Sequence, residues 1–547
     1  MGTTSSAGPR VTHDDGDGSG GGGDNGATVT TRVTRPRLLA ALAGILSAAT
    51  TLGVAQLVAS LVSPDSAPLV AVGGAFIDAT PPWLKDFAVA TFGTHDKLAL
   101  LIGMGVAVSA LAALAGVLAR RRWALGASLI VLLGAVGGVA ALTRPNAGAL
   151  APLPSIIGVG AGMIALRSLL ARIPGESAEP GTPETAQVPA GALDRRSFLT
   201  AAAITTAVAA VAAVGGQLIS RATRTVEAAR SALTLPRAAR PVAAVAAGVE
   251  STVPGVAAYI TPNADFYRID TALLVPQVDA DTWSIRVHGL VENEVTMSFQ
   301  DLLDANLVES RITLTCVSNE VGGDLIGNAK WLGYPIRELL ARARPQVGAD
   351  MVFSTSADGF TASTPLGVLT DGRDALLAIG MNDQPLPVIH GYPVRMVVPG
   401  LYGFVSATKW VVDLEVTRFA DKRAYWTDRG WSPMGPIKTE SRIEVPRPGA
   451  GVKAGRVAVG GTAWAQHRGI SKVEIQVDDG DWAPATLSTE ESIDTWRQWS
   501  YAWDATPGTH RLTVRATDPI DGVQTTEVAP PPPNGATGLH SVTVTVS

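Results

Sequence analysis

The chain has 547 residues, with 43 lysines and arginines against 48 aspartates and glutamates, a formal net charge of −5. That near-balance provides no bulk basic field for nucleic acid, and the length exceeds one ordinary domain. One cysteine, Cys316, and seven histidines exclude an intramolecular disulfide, a CxxC redox pair, an iron–sulfur cluster and c-type haem, and argue against a histidine-rich zinc site.

A mean hydropathy of +0.23 is high for a soluble protein, and the apolar residues concentrate in the first 220 positions. Residues 1–37, with the run SGGGGD, lack apolar periodicity and are expected to form a disordered cytoplasmic tail. A five-helix transmembrane region over 38–220 follows. Spans are predicted at about 38–62, 97–119, 123–142, 150–171 and 198–220, each near the roughly 20 residues that cross a bilayer. The segment LIGMGVAVSALAALAGVLA keeps no polar face, which a soluble amphipathic helix would. Four prolines between 64 and 82 mark 63–96 as an external loop with a short interfacial helix.

Positive charge orients the spans. Arg32, Arg35 and Arg37 precede the first, Arg120, Arg121 and Arg122 join the second and third, and Arg172, Arg195 and Arg196 lie between the fourth and fifth. The opposite loops carry Lys85, Lys97 and Arg144. The expectation is a multi-pass cell-membrane protein with a cytoplasmic amino terminus and everything after about residue 220 outside the cytoplasm. No histidine lies in a span, which excludes bis-histidine haem within the bilayer, and few ionisable groups do. The spans therefore read as an anchor, with a docking surface for a partner or quinone as the alternative. Leu193–Leu199 (LDRRSFL) ahead of an Ala/Val helix resembles a twin-arginine export signal.

Residues 221–245 read as an Ala/Arg/Pro linker. From 246 to 444 the pattern is α+β: DTWSIRVHGLV, EVTMSF, RITLTCV, PVRMVVPG and KWVVDLEVTRF as strands, FQDLLDANL and PIRELLARA as short amphipathic helices. Over 445–547, strands recur every ten to fifteen residues between Gly/Asp/Pro turns. This predicts an Ig-like β-sandwich without a cysteine pair, its core resting on Trp464, Trp482, Trp496 and Trp503.

Cys316 ends a strand and opens a polar, glycine-rich turn, TCVSNEVGG. A thiolate there faces a cleft and suits a high-valent metal whose other positions are filled by a cofactor and substrate. The blocks TLTCVSNEVGG, LIGNAKWLGYPIRELL and DALLAIGMNDQPLPVIHGYPVRMVVPGLYGFVSATKWV resemble the molybdopterin-binding domain of the sulfite oxidase family, and the tail from 445 resembles that family's Ig-like dimerisation domain. The resemblance covers about 246–547. It implies a molybdenum–molybdopterin cofactor with Cys316 as a metal ligand. His390, Arg395 and Lys409, with Phe404 and Ser406 in the loop GLYGFVSATKW, then match cofactor-holding positions. Asn263, Phe266, Tyr267 and Arg268 fall in the cofactor-contacting segment at the domain's amino end. Arginine and lysine suit a pterin phosphate, as bidentate and point-charge partners. A domain folded around a cytoplasmic cofactor would cross the membrane folded, which fits the twin-arginine motif.

Two departures bear on substrate. Glu320 stands in the stretch after the metal cysteine where sulfite oxidisers carry arginine, and FYRIDT replaces F-x-x-R-N-H. An anionic Glu320 beside the metal would repel sulfite; Arg468 is then the candidate anion-binding arginine. Tyr425, Trp426, Arg429 and Trp431 form an aromatic–basic cluster that walls a substrate pocket or packs between domains. The expected function is oxygen-atom transfer on a small or sulfur-containing molecule, with Cys316, Glu320 and Arg468 at the catalytic centre. Without haem, flavin or cluster motifs, electrons pass to or from a separate partner, a cytochrome or quinone-linked protein. A homodimer through the carboxy-terminal domain is implied by resemblance. The alternative is a non-catalytic membrane-anchored scaffold that retains the fold.

Overall fold

The computed structural model describes residues 34–81, 96–145, 147–173, 190–222 and 226–547, together with positions 84, 87, 91 and 92. Most of the expected tail, residues 1–33, lies outside the described residues.

Among the described residues, five helices are long and apolar enough, by length and composition, to cross a membrane: Pro36–Val62, Lys97–Arg121, Trp123–Leu142, Leu153–Leu170 and Arg196–Gly216. The first packs against the second, fourth and fifth and is the hub of the bundle. Close approach depends on small residues. A Cβ on Gly44 would lie 1.9 Å from the Ala112 carbonyl oxygen, and one on Gly116 would lie 2.0 Å from that of Ala40. Ser47 Oγ donates to the Gly162 carbonyl at 2.7 Å. These are the contacts expected where apolar burial gives no preference for helix over lipid. The 63–96 connector contains the apolar helix Pro68–Ala79, which packs on the third span. The motif LDRRSFL falls within the helix Ala190–Ala222; from Arg196 onward its side chains are among those described.

The expected linker is held against the domain that follows. After the helix Val226–Ala232 the chain runs alongside that domain, where Ala239 N donates to the Leu307 carbonyl at 2.8 Å and Glu309 N to the Arg240 carbonyl at 2.9 Å. The next domain has two sheets. The strands are β1 (Ser284–Gly289), β2 (Val295–Ser298), β3 (Val308–Thr315), β4 (Ile326–Pro335), β5 (Met351–Ser356), β6 (Thr361–Pro365), β7 (Leu376–Met381), β8 (Gln384–Pro385), β9 (Arg395–Val397) and β10 (Val411–Thr417). One sheet has the order β2-β1-β10-β5-β6; the other runs β3-β4-β7-β8, with β9 also on β7. β7, LLAIGM, is buried at every position, as its unbroken apolar run requires. The short helices Phe299–Leu303 and Ile336–Ala343 form as the sequence predicts.

From Glu440 the chain forms a two-sheet sandwich. One sheet orders Glu440–Val445, Gly455–Trp464, Arg497–Ala505 and Thr486–Leu487; the other is built on Lys472–Val477, Gly508–Asp518 and His540–Val546. Its tryptophans differ from expectation. Trp499 and Trp503, four apart and so on one face of their strand, fill the sandwich core. Trp464 and Trp496 instead join the core of the preceding domain, with Trp496 Nε1 donating to the Tyr259 carbonyl at 3.0 Å. Trp482 is half-buried under Arg515.

Candidate functional site

β3 delivers Cys316 to the floor of a cavity of about 110 Å³. The turn that follows is closed by its own hydrogen bonds. Cys316 N donates to the Leu325 carbonyl at 2.9 Å, Asn319 N to the Cys316 carbonyl at 3.1 Å, and Leu325 N to Asn319 Oδ1 at 2.8 Å. Sγ accepts from Ser318 N at 3.4 Å. Burial pushes the thiol's pKa up, only partly offset by the Ser318 contacts. Such a thiol is a poor nucleophile in water, and a metal ion would favour its ionised form.

Two cations stand across the cavity. Arg395 opens β9 and is 5% exposed. Its guanidinium donates to the carbonyls of Met396, His390 and Ala407 at 3.3–3.4 Å, and no carboxylate pairs with it among the described residues. Burial lowers its pKa to about 10, still charged at neutral pH. Lys409 donates to Asp270 Oδ2 at 2.7 Å; burial lowers it to about 8 against the pull of Asp270. Gly391, at φ 112°, lets the His390 turn lie close to both, since a Cβ there would sit 3.0 Å from that of Arg395 and 3.1 Å from that of Lys409. His390 Nε2 lies 3.0 Å from the Asn263 carbonyl, which can only accept, so Nε2 carries the proton. Burial, then Arg395, lowers the imidazole to about 4, leaving a neutral ring with an acceptor at Nδ1.

Aromatic rings form the walls. Phe266 stacks on Tyr267 at 5.3 Å and meets His390 edge-on at 5.6 Å; Trp431 lies 5.8 Å from Phe404 and 5.9 Å from Trp426. Burial, then the neighbouring Cys316, holds the Tyr267 phenol protonated.

Of the sequence-predicted residues, Cys316, Phe266, Tyr267, His390, Arg395, Phe404 and Lys409 line this cavity, as do Trp426 and Trp431. Others do not. Glu320 is exposed, at the head of a turn closed by Gly323 N donating to its carbonyl at 2.8 Å, and the cavity is lined without it. The repulsion of sulfite inferred from Glu320 therefore loses its basis. Arg468 turns to Asp521 at 3.2 Å and Asp518 at 3.5 Å, neutralised away from the cavity wall. Asn263 binds internally to Asn382 and the Met381 carbonyl, serving the site through its own carbonyl on His390. Arg268 pairs with Asp270 at 2.8 Å at the margin, and Ser406 Oγ donates to the Tyr402 carbonyl at 2.9 Å. Tyr425 and Arg429 pack on each other, the guanidinium 3.6 Å from the ring centre, and Arg429 donates to the Asp78 carbonyl at 2.8 Å. Sequence reasoning missed Asp270. Burial pushes it up, but Lys409, Lys97 and Arg268 more than reverse this and hold the carboxyl far below its ordinary range.

These residues fit a molybdenum–pterin group on two observations. Among the described residues no group of three or more His, Cys, Asp or Glu side chains is placed to hold a metal ion, so Cys316 is a single soft donor that suits a metal whose further donors come from a non-protein ligand such as a dithiolene. A buried guanidinium without a carboxylate is in turn suited to an anion.

Residues 272–426 match the family model described as the oxidoreductase molybdopterin binding domain, and residues 440–514 match the bacterial Ig domain. The chain is 30% identical to the mitochondrial sulfite oxidase of Homo sapiens over 321 residues, covering 50% of this chain and 58% of that protein. It is 29% identical to the sulfite oxidase of Arabidopsis thaliana, covering 50% of this chain and 80% of that protein. Among solved structures, the sulfane dehydrogenase SoxCD from Paracoccus pantotrophus matches with a TM-score of 0.45 at 23% identity, covering 52% of this chain and 81% of that one.

Proposed function

We propose, for a chain that belongs to the sulfite oxidase family of molybdopterin-dependent oxidoreductases, that it transfers an oxygen atom to or from a small neutral sulfur compound and exchanges electrons with a separate redox partner. In the oxidising direction a thioether-like sulfur and water become a sulfoxide, two protons and two electrons; the reverse consumes them. Bound beside Cys316, the molybdenum–pterin group would supply the metal that exchanges the oxygen and accepts or donates the electrons.

The observation that carries the reading is a cleft lined by both Cys316 and Arg395, the latter a buried guanidinium with no carboxylate partner among the described residues. Arg395 and Lys409 would grip the pterin phosphate, His390 Nδ1 would accept from the pterin ring, and Cys316 would hold the metal. Trp426, Trp431, Phe404 and Phe360 wall the remaining space and exclude water. A neutral substrate is favoured over sulfite because the candidate anion-binding arginine Arg468 is already paired with Asp518 and Asp521, away from the cavity.

The reading extends to location. The amino terminus is cytoplasmic, the five helices cross the membrane, the catalytic domain lies outside the cytoplasm after export through the twin-arginine motif, and the Ig-like domain joins two copies. The positive charges at Arg120–Arg122 and Arg172 support the orientation. So do the connectors around Asp78, Lys97 and Pro145, which all touch the catalytic domain.

Metal analysis and turnover of the full chain test the function. Wild type should hold molybdenum near one per chain and turn over sulfoxide or thioether with a dye mediator. Cys316→Ser should lose turnover by roughly a thousandfold or more, the scale of removing a group that acts at the reacting centre. Equal molybdenum-dependent turnover in both would remove the assignment.

A further inference from the structure

The second span begins where the cofactor cleft ends. Lys97, on its first turn, donates to Asp270 Oδ1 at 2.8 Å, to the Ala272 carbonyl at 2.6 Å and to the Asp270 carbonyl at 3.2 Å. Asp270 lines the cavity, its side chain 4% exposed, and its other oxygen accepts from Lys409 at 2.7 Å and Arg268 at 2.8 Å. Two other contacts brace the same rim. A Cβ on Gly73 would lie 2.9 Å from Leu273, and one on Gly359, beside the cavity residues Asp358 and Phe360, would lie 2.3 Å from Pro145.

We propose that the membrane region is a structural part of the cofactor cleft, with Lys97 as the positioning residue that holds Asp270, and through it Lys409, for the pterin phosphate. The inference rests on the molybdopterin reading. The charges explain the need. Asp270 orients Lys409, but as an anion on the cavity wall it opposes a phosphate. A cation on the far side of the same carboxylate offsets that opposition without occupying phosphate space, and Lys97 is among the groups that hold Asp270 ionised. Lys97 also fixes two backbone carbonyls of the 270–272 segment, so the rim cannot swing away from Lys409 while the span is docked. Nothing reacts at Lys97; it acts through Asp270.

The experiment compares full-length wild type, Lys97→Arg, Lys97→Gln and Lys97→Met in detergent, alone and in an Asp270→Asn background. The rate at which each loses molybdenum and pterin in moderate salt is followed by elemental analysis and pterin fluorescence, with gel filtration to confirm folded protein. Lys97→Met should release the cofactor roughly tenfold faster, the scale of a charged hydrogen bond. Lys97→Gln should fall between, and Lys97→Arg should retain cofactor nearly as wild type does. The Lys97→Met effect should largely vanish once Asp270 is Asn. Release from Lys97→Met at the wild-type rate, or equal loss from Lys97→Arg and Lys97→Met, would overturn the role of Lys97 and leave the cofactor reading intact. Wild type lacking molybdenum and pterin would overturn the cofactor reading itself.

Discussion

At the scale of single residues, Cys316 is readable from sequence as the one thiol in a polar, glycine-rich turn, whereas Arg395 and Lys409 are reached only through the resemblance of their block to a known family. Asp270 is reached by neither route. Its role appears only when Lys97, Arg268 and Lys409, far apart in the chain, converge on one carboxylate. Glu320 misleads for the converse reason: proximity in sequence to Cys316 is undone by the turn that leaves it exposed. Glu440 is a further residue that sequence alone does not single out. It is 3% exposed, burial raises its carboxyl to about 8, and Asn319 and Lys438 offset this only in part. The unfolded carboxyl ionises near 4.5 while the folded one resists ionisation until about 8, so the unfolded state binds fewer protons between those values. Stability should therefore fall as pH rises from 5 to 8, by at most about 1.4 kcal/mol per unit from this group. Glu440→Gln should flatten that part of the profile, as read from thermal melts of the full chain. An unchanged slope would show that Glu440 ionises freely in the fold.

At the scale of elements, the carboxy-terminal domain contacts the Cys316 turn directly. The strand Glu440–Val445 alternates. Ile443 enters the sandwich core while Arg442 faces the catalytic domain, where Nη1 donates to the Gly323 carbonyl at 2.7 Å. His540 closes the other side, with a Cβ on Gly322 only 2.2 Å from its ring. Arg442→Ala should cost about 1–3 kcal/mol of stability, the range for leaving buried partners unmet. It should also speed amide exchange across 316–325 more than elsewhere, as mass spectrometry of exchanged peptides would show; uniform acceleration would mean that Arg442 supports the domain and not the turn. Period-two reasoning found these strands, but it could not assign Trp464 and Trp496 to the neighbouring core. Both stand at the ends of central strands of the sandwich, and which strand end meets another domain is decided by packing, not by alternation.

For the whole molecule, the long apolar helices were legible to within a few residues because an unbroken apolar run is a strong signal. What was not legible is that the connectors between spans touch the catalytic domain at its cofactor rim. The contacts come from the apolar helix Pro68–Ala79, the first turn at Lys97 and the bend at Pro145, and nothing in their local pattern says which domain they will meet. The proposed route across the membrane is testable at this scale. Replacing Arg195 and Arg196 by Lys should leave the catalytic domain protected from protease added to intact cells, whereas unchanged access would discredit the twin-arginine reading. That route gives the Lys97–Asp270 pair a temporal meaning. Under this reading the first four spans would be threaded before the catalytic domain arrives, so Asp270 would reach Lys97 only after export. The ion pair would then close with the other contacts between the two regions, late in maturation: a seal placed on a cargo that was loaded on the other side.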